Sequence, residues 1–475
     1  MSSRIMDSYN DIVKSLRRED KTTQARLQSI IFDNLFVSQF DPFPLVANER
    51  CGLWYVRPDQ IAETAYFKST DGHTHEWRFS TRRLNLNLLP LLATERTIVL
   101  VDSTRKGKLL PDALLKTVPI WCSVLNYIMF EGENVPDQFS ELAAGNWLAT
   151  PREMVLESEH ASISERIASF ASEAKRLGLV LKRMLLEHLG ARQPILPCWM
   201  WPGKKGTVRE RADCFTICCV SASARGSRPP GWNHSAPYVQ GAGDDHELWA
   251  PRALDALLFW NDVYPETAPN LRVVESGNVC SWLSEEELLR RVEAIINIKL
   301  HRANIPTDDS TTVHDHNTLS IDISPLGNTG IYIGQITENI DIEVLLRYAP
   351  NLHHVVVLSK DFTVQAPENC SVAVSHYRVE LTKKGAKQLR DILPRSVANV
   401  VPLPLSSVVV LCDTGKDLAV GVALCLLGKH FSPTWVSAPG PVNKDIVKQH
   451  LSKILECRKI NPSRNTLQSV NTFLM

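Results

Sequence analysis

Three features are lacking in this sequence: net charge, Cys-x-x-Cys pairs and long apolar runs. Among 475 residues, 52 Lys and Arg balance 52 Asp and Glu, so the chain as a whole has no electrostatic preference for nucleic acid or a membrane surface. A polyanionic partner must therefore be held by a local patch. No uncharged apolar run reaches the roughly 18 residues that cross a bilayer, which predicts a protein with no membrane span.

The cysteines and the first residues of the chain indicate a cellular compartment. None of the 11 cysteines forms a Cys-x-x-Cys pair, and the group Cys214, Cys218 and Cys219 lacks the second ligand pair of a structural zinc site. Residues 1–20 are rich in charged side chains, which is unlike the apolar core of a signal peptide. These observations predict reduced thiols and a cytoplasmic protein.

The composition is that of a globular protein, with 44% hydrophobic and 22% charged residues. Residues 305–317 read IPTDDSTTVHDHN and contain almost no large apolar side chain, so we place a linker there. The expected organisation is an N-terminal domain over 1–304, which would bind the donor and catalyse, and a C-terminal domain over 318–475.

Hydrophobic patterns differ between these two domains. The N-terminal one is predicted to combine helices, including one over Ser158–Gly190, with short strands and polar loops between Cys51 and Leu110. After the linker, short apolar strands alternate with helical segments, which favours a parallel or mixed sheet covered on both faces. The predicted fold class is therefore α/β, with an α+β N-terminal domain. The predicted C-terminal strands are Ile331–Ile336, His354–Leu358, Val372–Val374 and Val408–Leu411, and the predicted helices are Asn339–Tyr348, Lys383–Leu393, Asp417–Leu427, Pro441–Cys457 and Ser463–Leu474.

One strand-to-helix turn in the C-terminal domain has the pattern of an anion site. The strand Val408–Leu411 leads into a turn, and an apolar helix over 418–427 follows. Backbone N–H groups and the helix dipole would point at one spot in such a turn. An ordinary connection, with a small core residue at its start, explains the pattern equally well. The candidate phosphate-binding residues are Cys412, Asp413, Thr414, Gly415, Lys416 and Asp417.

This C-terminal domain also resembles the dual-specificity phosphatase fold, in which a catalytic Cys ends a strand and an Arg follows six residues later. Here Leu418 stands at the position of that Arg, and Leu411 replaces the His that precedes the Cys. Without a guanidinium to clamp a phosphoryl group, phosphatase activity is not expected. We interpret the turn as a phosphate cradle from which the cleavage chemistry has been lost.

Two basic segments of the N-terminal domain are candidates for binding phosphates. Phe67–Asn85 mixes aromatic rings, hydroxyls and cations, and Val101–Lys108 has hydroxyls, three cations and a glycine after an apolar strand. A solvated hairpin and a solvated basic loop remain the alternatives. The candidate substrate-binding residues are His73, Arg82, Arg83, Ser103, Thr104, Arg105, Lys106, Gly107 and Lys108, together with Lys204 after an aromatic run.

An acidic turn supplies the candidate catalytic groups. Asp244 and Asp245 follow a Gly-Ala-Gly turn, and His246 comes next. Such a pair can hold Mg²⁺, bond to sugar hydroxyls or accept a proton from an attacking hydroxyl. Gly241 and Gly243 would let the backbone approach a ligand closely. The alternative is a turn whose carboxylates complement the dipole of a following helix.

Five segments in the same order resemble the fungal and plant initiator-tRNA 2′-O-ribosyl-phosphate transferase family. They are FKSTDGHT…W.FS.RRLN at Phe67–Asn85, VDSTRKGK…PD.L.KTVPIWC at Val101–Cys122, QGAGDDHE.W at Gln240–Trp249, CDTGKDLAVG at Cys412–Gly421 and NPSR.TLQSVN.FLM at Asn461–Met475. The resemblance covers nearly the whole chain and implies a large N-terminal domain followed by a phosphatase-like C-terminal domain.

The resemblance also implies a reaction, in which a 5-phosphoribosyl group moves from phosphoribosyl pyrophosphate to the 2′-hydroxyl of a T-stem adenosine of initiator methionine tRNA. Mg²⁺ with Arg105, Lys106 and Lys108 would neutralise the departing pyrophosphate, and Asp244 or Asp245 would hold ribose hydroxyls or deprotonate the nucleophile. No obligate protein partner is implied. The alternative function is a phosphatase-like module that binds phosphate or RNA without catalysis.

Overall fold

The computed structural model describes residues 22–69, 76–105, 107–251, 253–265, 268–302, 321–367, 369–380, 383–398, 400 and 406–475. Two compact units divide the chain. The C-terminal unit comprises residues 303–475 and the short segments 81–84 and 177–179, and the N-terminal unit comprises the rest. The predicted linker over 305–317 lies outside the described residues. Within the described ranges, no helix is long and apolar enough to cross a membrane.

The main sheet of the N-terminal unit has five strands in the order β2-β1-β3-β5-β4. All four neighbouring pairs run parallel, so this unit is α/β and not the α+β domain that the sequence predicted. Because β3 lies at the centre, both its faces are covered, and each of its six residues is buried. The strands are β1 (Leu45–Asn48), β2 (Ile61–Ala65), β3 (Thr97–Asp102), β4 (Ile195–Met200) and β5 (Phe215–Ser221), and a separate antiparallel pair is formed by β6 (Val274–Glu275) and β7 (Asn278–Val279).

The described residues of the N-terminal unit contain eight α-helices. The single helix expected over Ser158–Gly190 is two helices, because Gly178 has a φ of +66° and Leu181 is extended, which interrupts the helical backbone. Gly190 ends the second in the left-handed conformation, as expected of a helix stop. The helices are α1 (Thr23–Val37), α2 (Leu88–Glu95), α3 (Val118–Met129), α4 (Ser140–Ala144), α5 (Glu157–Arg176), α6 (Lys182–Leu189), α7 (Ala256–Leu258, continued by a π-turn over Phe259–Val263) and α8 (Glu285–Arg302).

The C-terminal unit also contains a five-stranded sheet, in the order β13-β11-β14-β9-β8. Only β8 runs antiparallel to its neighbour. The four strands predicted from the sequence are present with small changes at their ends. The strands are β8 (Ile323–Pro325), β9 (Ile331–Gln335), β11 (Leu352–Leu358), β13 (Ala373–Tyr377) and β14 (Ser407–Cys412), and β10 (Ile340–Asp341) pairs with β12 (Val364–Gln365) beside them.

Strand β11 shows why this sheet reads as unbroken apolar runs. Val356 and Leu358 pack into the core on one face of the sheet, while Val355 and Val357 pack into the core on the other face. Both faces are therefore covered, as in other parallel sheets. The helices are α9 (Ile342–Tyr348), α10 (Lys383–Ala398), α11 (Leu418–His430), α12 (Lys444–Cys457) and α13 (Arg464–Leu474). All five were predicted, and the largest error is at the end of α10, which continues past Pro394 to Ala398 instead of ending at Leu393.

Candidate active site

The site is built where three adjacent parallel strands of the N-terminal unit end. Strands β1, β3 and β5 are neighbours, so the residues that follow their carboxyl ends meet at one edge of the sheet. Arg50 follows β1, Arg105 follows β3 and Ser223 follows β5. This edge is where ligands bind in open parallel sheets, because the loops there diverge over a crevice.

Arginines on two of these loops hold the acidic pair. The Nε of Arg105 lies 3.3 Å from Oδ2 of Asp244, and its Nη1 bonds to Oδ2 of Asp245. Arg50 approaches the other oxygen of Asp244 at 3.3 Å. Asp244 is thus held between two guanidinium groups, with its side chain only 12% exposed, whereas Asp245 is 45% exposed.

The side chain of Gln240 joins the acidic loop to the backbone of the basic loop. The N–H of Gly107 donates to Oε1 of Gln240 at 2.8 Å, and Nε2 of Gln240 donates to the carbonyl of Lys108 at 2.7 Å. The ammonium of Lys108 remains about half exposed, 3.9 Å from Asp112. The structure therefore brings together the two N-terminal segments that the sequence marked separately.

The two glycines of the acidic turn serve the packing of the protein itself. Gly241 has a φ of +67°, and a Cβ there would lie 2.7 Å from the carbonyl oxygen of Thr104. A Cβ on Gly243 would lie 2.7 Å from the side chain of Trp54. We expected a ligand beside these glycines, but protein atoms fill that space. The glycines therefore allow the acidic turn to pack closely on Thr104 of the basic loop and on Trp54.

A buried carboxylate fixes the start of the basic loop. Asp102, the last residue of β3, accepts hydrogen bonds from Nδ2 of Asn48 at 2.7 Å, from the thiol of Cys51 at 2.9 Å and from the N–H of Ser103 at 2.9 Å. Burial raises the pKa of Asp102, and these hydrogen bonds oppose that shift. Burial also raises the pKa of the Cys51 thiol, so Cys51 is a hydrogen-bond donor here.

A second buried carboxylate supports both loops from α1. Asp33 accepts from Oγ of Ser223 at 2.5 Å and from the hydroxyl of Tyr238 at 2.8 Å. Oγ of Ser223 in turn accepts from Oγ of Ser103 at 2.6 Å and from the N–H of Gly241 at 3.1 Å. Burial raises the pKa of Asp33 well above its usual range. One hydroxyl thus links α1 to the first residues of both functional loops.

The acidic turn itself ends in a short helical turn. Asp245 has a φ of +49° and precedes a 3₁₀ turn over His246–Leu248. The ring of His246 packs beside Trp54, with 5.7 Å between ring centroids. Nowhere in the described part of the chain do three or more His, Cys, Asp or Glu side chains form a group that could hold a metal. Asp244 and Asp245 alone therefore make no closed metal site.

The remaining N-terminal candidates lie elsewhere or cannot be placed. The ammonium of Lys204 donates to the carbonyl of Trp199 at 2.7 Å and sits 4.4 Å from the ring centroid of Trp201, so it covers its own loop. Arg82 and Arg83 belong to the C-terminal unit, where Nη2 of Arg83 bonds to Oδ1 of Asn461. His73 and Lys106 lie outside the described residues.

In the C-terminal unit, the turn after β14 is bonded mainly to itself and to its surroundings. The N–H of Gly415 donates to the carbonyl of Cys412 at 3.1 Å, and the N–H of Lys416 donates to Oγ1 of Thr414 at 3.2 Å. Cys412 is 1% exposed. Oδ1 of Asp417 accepts from the N–H of Ser463 at 2.9 Å. At least two backbone donors of this candidate cradle are therefore engaged within the turn.

An arginine does stand beside this turn, but it faces protein acceptors. Nε of Arg458 donates to the carbonyl of Gly415 at 3.2 Å, and its Nη1 donates to Oδ1 of Asp322 at 2.7 Å. Arg458 is 8% exposed. At the position where phosphatases carry the arginine, Leu418 is buried in the core beneath the turn. The guanidinium of Arg458 thus has its donors occupied by protein oxygens.

Sequence reasoning missed the groups that hold the site together. Arg50, Asp102 and Asp33 were not singled out, although each has a signal: Asp102 ends an apolar strand, and Asp33 interrupts the apolar pattern of α1. A charged residue on a face otherwise predicted to be buried is either paired or functional. Asp33 and Asp102 are both fully buried and hydrogen-bonded.

Comparison with protein families decides what the chain is related to. A model described as the Rit1 N-terminal domain matches residues 16–296, more than half of the chain, and a model described as the Rit1 DUSP-like domain matches residues 373–474. The chain belongs to the Rit1 family. The resemblance noted in the sequence and the phosphatase-like character of the C-terminal domain are thereby confirmed. The DUSP-like match contains the whole of the turn at 412–417.

Two full-length relatives agree with this membership of the Rit1 family. The tRNA A64-2′-O-ribosylphosphate transferase of Saccharomyces cerevisiae is 32% identical, over 100% of this chain and 96% of its own length. A protein of Schizosaccharomyces pombe, named only as uncharacterised, is 31% identical over 99% of this chain and 98% of its own. The similarity to a Rit1-type protein thus runs through both units.

Two of the solved structures similar to this Rit1 chain are a phosphatase domain and a dual-specificity phosphatase family member. The Yvh1 phosphatase domain from Chaetomium thermophilum is 16% identical and covers 32% of this chain and 94% of its own, with a TM-score of 0.24. Human DUSP28 is 12% identical and covers 35% of this chain and 97% of its own, with a TM-score of 0.23. The DUSP-like assignment itself rests on the family model.

Proposed function

We propose that this protein transfers a 5-phosphoribosyl group from phosphoribosyl pyrophosphate to the 2′-hydroxyl of adenosine 64 of initiator methionine tRNA. The relative from Saccharomyces cerevisiae is named for ribosylphosphate transfer to that nucleotide, and it matches the whole chain. The observation that carries the proposal is the cluster of Arg105 with Asp244 and Asp245 at the carboxyl edge of the N-terminal sheet. It places cationic and acidic groups side by side, as transfer from a diphosphate requires.

The reaction is a glycosyl transfer. The 2′-oxygen of the tRNA forms a bond to the anomeric carbon of the donor ribose, and the bond from that carbon to the pyrophosphate oxygen breaks. The hydroxyl proton passes to a base, and pyrophosphate leaves with the electron pair of the broken bond. Positive charge develops on the ribose and negative charge on the leaving group, so the protein accelerates the step by stabilising both.

The residues of the site divide between these two charges. Arg105 and Lys108, with Lys106, would bind the diphosphate, because the side chains of Arg105 and Lys108 are about half exposed and can reach an anion in solvent. Asp244 and Asp245 would face the ribose, where a carboxylate can hold hydroxyls, stabilise the developing positive charge or accept the proton. His246 is the second candidate for the base.

Magnesium is part of the proposal. Mg²⁺ is often held by one or two carboxylates together with substrate phosphates, rather than by a cage made only of protein groups. Two adjacent carboxylates beside Arg105 fit that mode, with Asp244 and Asp245 as the protein ligands. The ion would neutralise charge on the diphosphate.

For the C-terminal unit, the turn at 412–417 is proposed as a site for phosphate contact and not for covalent chemistry. Cys412 is buried, and Leu418 stands where a phosphatase needs its arginine. The DUSP-like family match supports a second candidate function, which is a module that binds phosphate or RNA without catalysis. We place the reaction in the cytoplasm and infer no obligate protein partner.

A transfer assay tests the proposal directly. Purified full-length protein is incubated with phosphoribosyl pyrophosphate labelled in its ribose, Mg²⁺ and initiator tRNA, and label in the tRNA is measured. We expect transfer to this tRNA and none to a copy carrying 2′-deoxyadenosine at position 64, because the accepting hydroxyl is then missing. Binding of tRNA without label transfer under these conditions would favour the non-catalytic module.

A further inference from the structure

A pocket of about 390 Å³ lies within the C-terminal unit, and no residue of the turn at 412–417 lines it. It is formed by one face of α12, one face of α13 and the segment 81–84. The lining residues of the two helices follow the same spacing of i, i+3, i+4 and i+7, which places each set on a single helical face. The lining residues are Thr81, Arg82, Lys444, Val447, Lys448, Leu451, Arg464, Leu467, Gln468 and Asn471.

The pocket is basic although the whole chain carries no net charge. Its lining includes four cations, Arg82, Lys444, Lys448 and Arg464, and no carboxylate. Lys448 approaches Asp445 at 3.5 Å, whereas Arg82, Lys444 and Arg464 form no ion pair with any carboxylate of the described ranges. Four like charges around one concavity repel one another, so an anion placed among them relieves that repulsion.

The two neighbouring arginines before α2 have different roles. Arg83 is half-buried and bonds to Asn461, which anchors segment 81–84 in the C-terminal unit. Arg82 is exposed and lines the pocket. The anchored neighbour therefore presents the exposed guanidinium to the pocket.

The remaining lining distinguishes a nucleotide backbone from a bare phosphate. Val447, Leu451 and Leu467 add apolar surface to the lining. The carboxamide side chain of Asn471 also lines the pocket. A ribose offers a carbon face for the apolar surface, and its 2′-hydroxyl both donates and accepts hydrogen bonds, so it can pair with a carboxamide.

We propose that this pocket between α12 and α13 binds the sugar–phosphate backbone of the tRNA substrate. The proposal rests on the proposed function and adds to it an RNA contact in the DUSP-like part, outside the turn at 412–417. One or two backbone phosphates lie among Arg82, Lys444, Lys448 and Arg464, and an adjacent ribose lies against Asn471. Contacts of this kind position an RNA and carry no sequence information.

The test compares two double variants of equal charge change. Lys444→Gln with Arg464→Gln removes two pocket cations. Lys387→Gln with Arg395→Gln removes one lysine and one arginine that are exposed on α10 and do not line the pocket. For each full-length protein, the affinity for initiator tRNA is measured by fluorescence anisotropy over a range of salt concentrations. The affinity for phosphoribosyl pyrophosphate is measured by calorimetry, and folding by circular dichroism.

The pocket variant should bind tRNA at least tenfold more weakly at low salt, because two cations no longer meet the RNA backbone. Its slope of log affinity against log salt should be shallower, by roughly 0.7–0.9 for each phosphate that is no longer bound. The α10 variant should keep the wild-type slope, and both should bind the donor normally. Wild-type affinity and slope in a folded pocket variant would overturn the inference.

Two further outcomes separate this inference from the proposed function. If the pocket variant loses affinity for phosphoribosyl pyrophosphate instead of tRNA, the pocket is part of the donor site and the RNA assignment is wrong. If the wild-type protein transfers label but the pocket variant binds tRNA unchanged, the proposed function stands without this contact. A wild-type protein that neither binds tRNA nor transfers label overturns both.

Discussion

Both units have a central strand that ends in a loop at the carboxyl edge of a five-stranded sheet, but the side chains of the two loops differ in their exposure. In each, the third strand in the order of a five-stranded sheet, β3 or β14, ends in a loop at the carboxyl edge. The loop after β3 presents Arg105 to the partly exposed carboxylates Asp244 and Asp245. The turn after β14 buries Cys412, and the nearby Arg458 is engaged with protein oxygens. Strand and loop geometry therefore does not reveal chemistry, which depends on which charged groups reach solvent.

The buried titratable groups of the two units also respond to burial in opposite directions. In the N-terminal unit, burial raises the pKa of Asp33 and Asp102, so their neutral forms are favoured. In the C-terminal unit, burial lowers the pKa of His450 to about 4, which again favours the neutral form. Because an acid is neutral at low pH and a base at high pH, the stabilities of the two units should respond to pH in opposite directions.

The largest expected difference between the loops is in catalysis. Asp244→Asn removes a carboxylate that we place at the ribose, and it should slow transfer by roughly 10²–10⁴-fold, the range typical of a lost general base or electrostatic group. Cys412→Ser should leave turnover within a few-fold of wild type, because a buried thiol with no covalent role is replaced by a hydroxyl of similar size. Single-turnover transfer rates at saturating donor and tRNA measure both.

A loss of turnover in Cys412→Ser equal to that in Asp244→Asn would show that the comparison is wrong and that the thiol takes part in covalent catalysis. Asp59→Asn provides a matched control in the N-terminal unit, since Asp59 is exposed and lies 3.4 Å from Arg57. It should transfer at the wild-type rate.

The second effect concerns stability under the N-terminal loops. Asp33→Ala leaves the hydroxyls of Ser223 and Tyr238 without their acceptor, which should cost about 1–3 kcal/mol for each group. In the wild type, the raised pKa of Asp33 means that the folded unit keeps a proton that the unfolded chain releases. Stability should then fall as pH rises from about 4, the usual range for Asp, through the raised pKa. Hydrogen exchange of peptides from α1, corrected for intrinsic rates, measures this.

Asp33→Asn separates the titration of Asp33 from its hydrogen bonds, because the amide cannot ionise but keeps an oxygen acceptor for one hydroxyl. The pH dependence of protection in α1 should flatten in this variant. An unchanged pH dependence would show that the titration of Asp33 does not affect the stability of the N-terminal unit.

The third effect has the opposite sign and belongs to the C-terminal unit. Nδ1 of His450 accepts a hydrogen bond from Nε1 of Trp435 at 3.2 Å, which only a ring unprotonated at Nδ1 can do. With a folded pKa of about 4 and an unfolded pKa of about 6.5, the unit is fully stable above pH 6.5. It should lose up to about 3 kcal/mol as pH falls to 4.

Hydrogen exchange of peptides from α12 measures that loss, and His450→Asn should reduce it, since an amide oxygen can accept the indole hydrogen without titrating. Peptides from α1 in the same samples serve as the internal control, because they should show no comparable loss over this pH interval. Equal acid sensitivity in both units would remove the contrast drawn between them.

Much of this contrast was accessible from the sequence. The strands β9, β11, β13 and β14 and the helices packed on them follow from local apolar patterns, which is why their errors are confined to the ends. The loop after β3 and the acidic turn were also found, since each is a short segment whose residue types indicate their chemistry. The apolar pattern did not show where a helix is interrupted. The single helix predicted over Ser158–Gly190 is two helices, divided at Gly178 and Leu181.

Partners far apart along the chain were out of reach. Asp33 and Ser223 are separated by 190 positions, and Arg50 and Asp244 by 194, so nothing local pairs them. The glycines of the acidic turn were assigned to a ligand because their real neighbours, Thr104 and Trp54, come from other parts of the fold. Residue types within a short segment can be interpreted from one sequence, whereas contacts between distant segments depend on tertiary packing.

The smallest effect decides which loop holds the donor. Lys108 and Lys416 each stand in one of the two loops, and replacing either with alanine removes one charge. If the diphosphate binds after β3, Lys108→Ala should weaken phosphoribosyl pyrophosphate binding by roughly 5–20-fold, the loss of one charge-assisted hydrogen bond, while Lys416→Ala should change it less than twofold. Titration calorimetry of both variants with Mg²⁺ measures the two values. Should only Lys416→Ala weaken binding, the turn after β14 grips the donor, and the acidic cluster of the N-terminal unit must act on the tRNA alone.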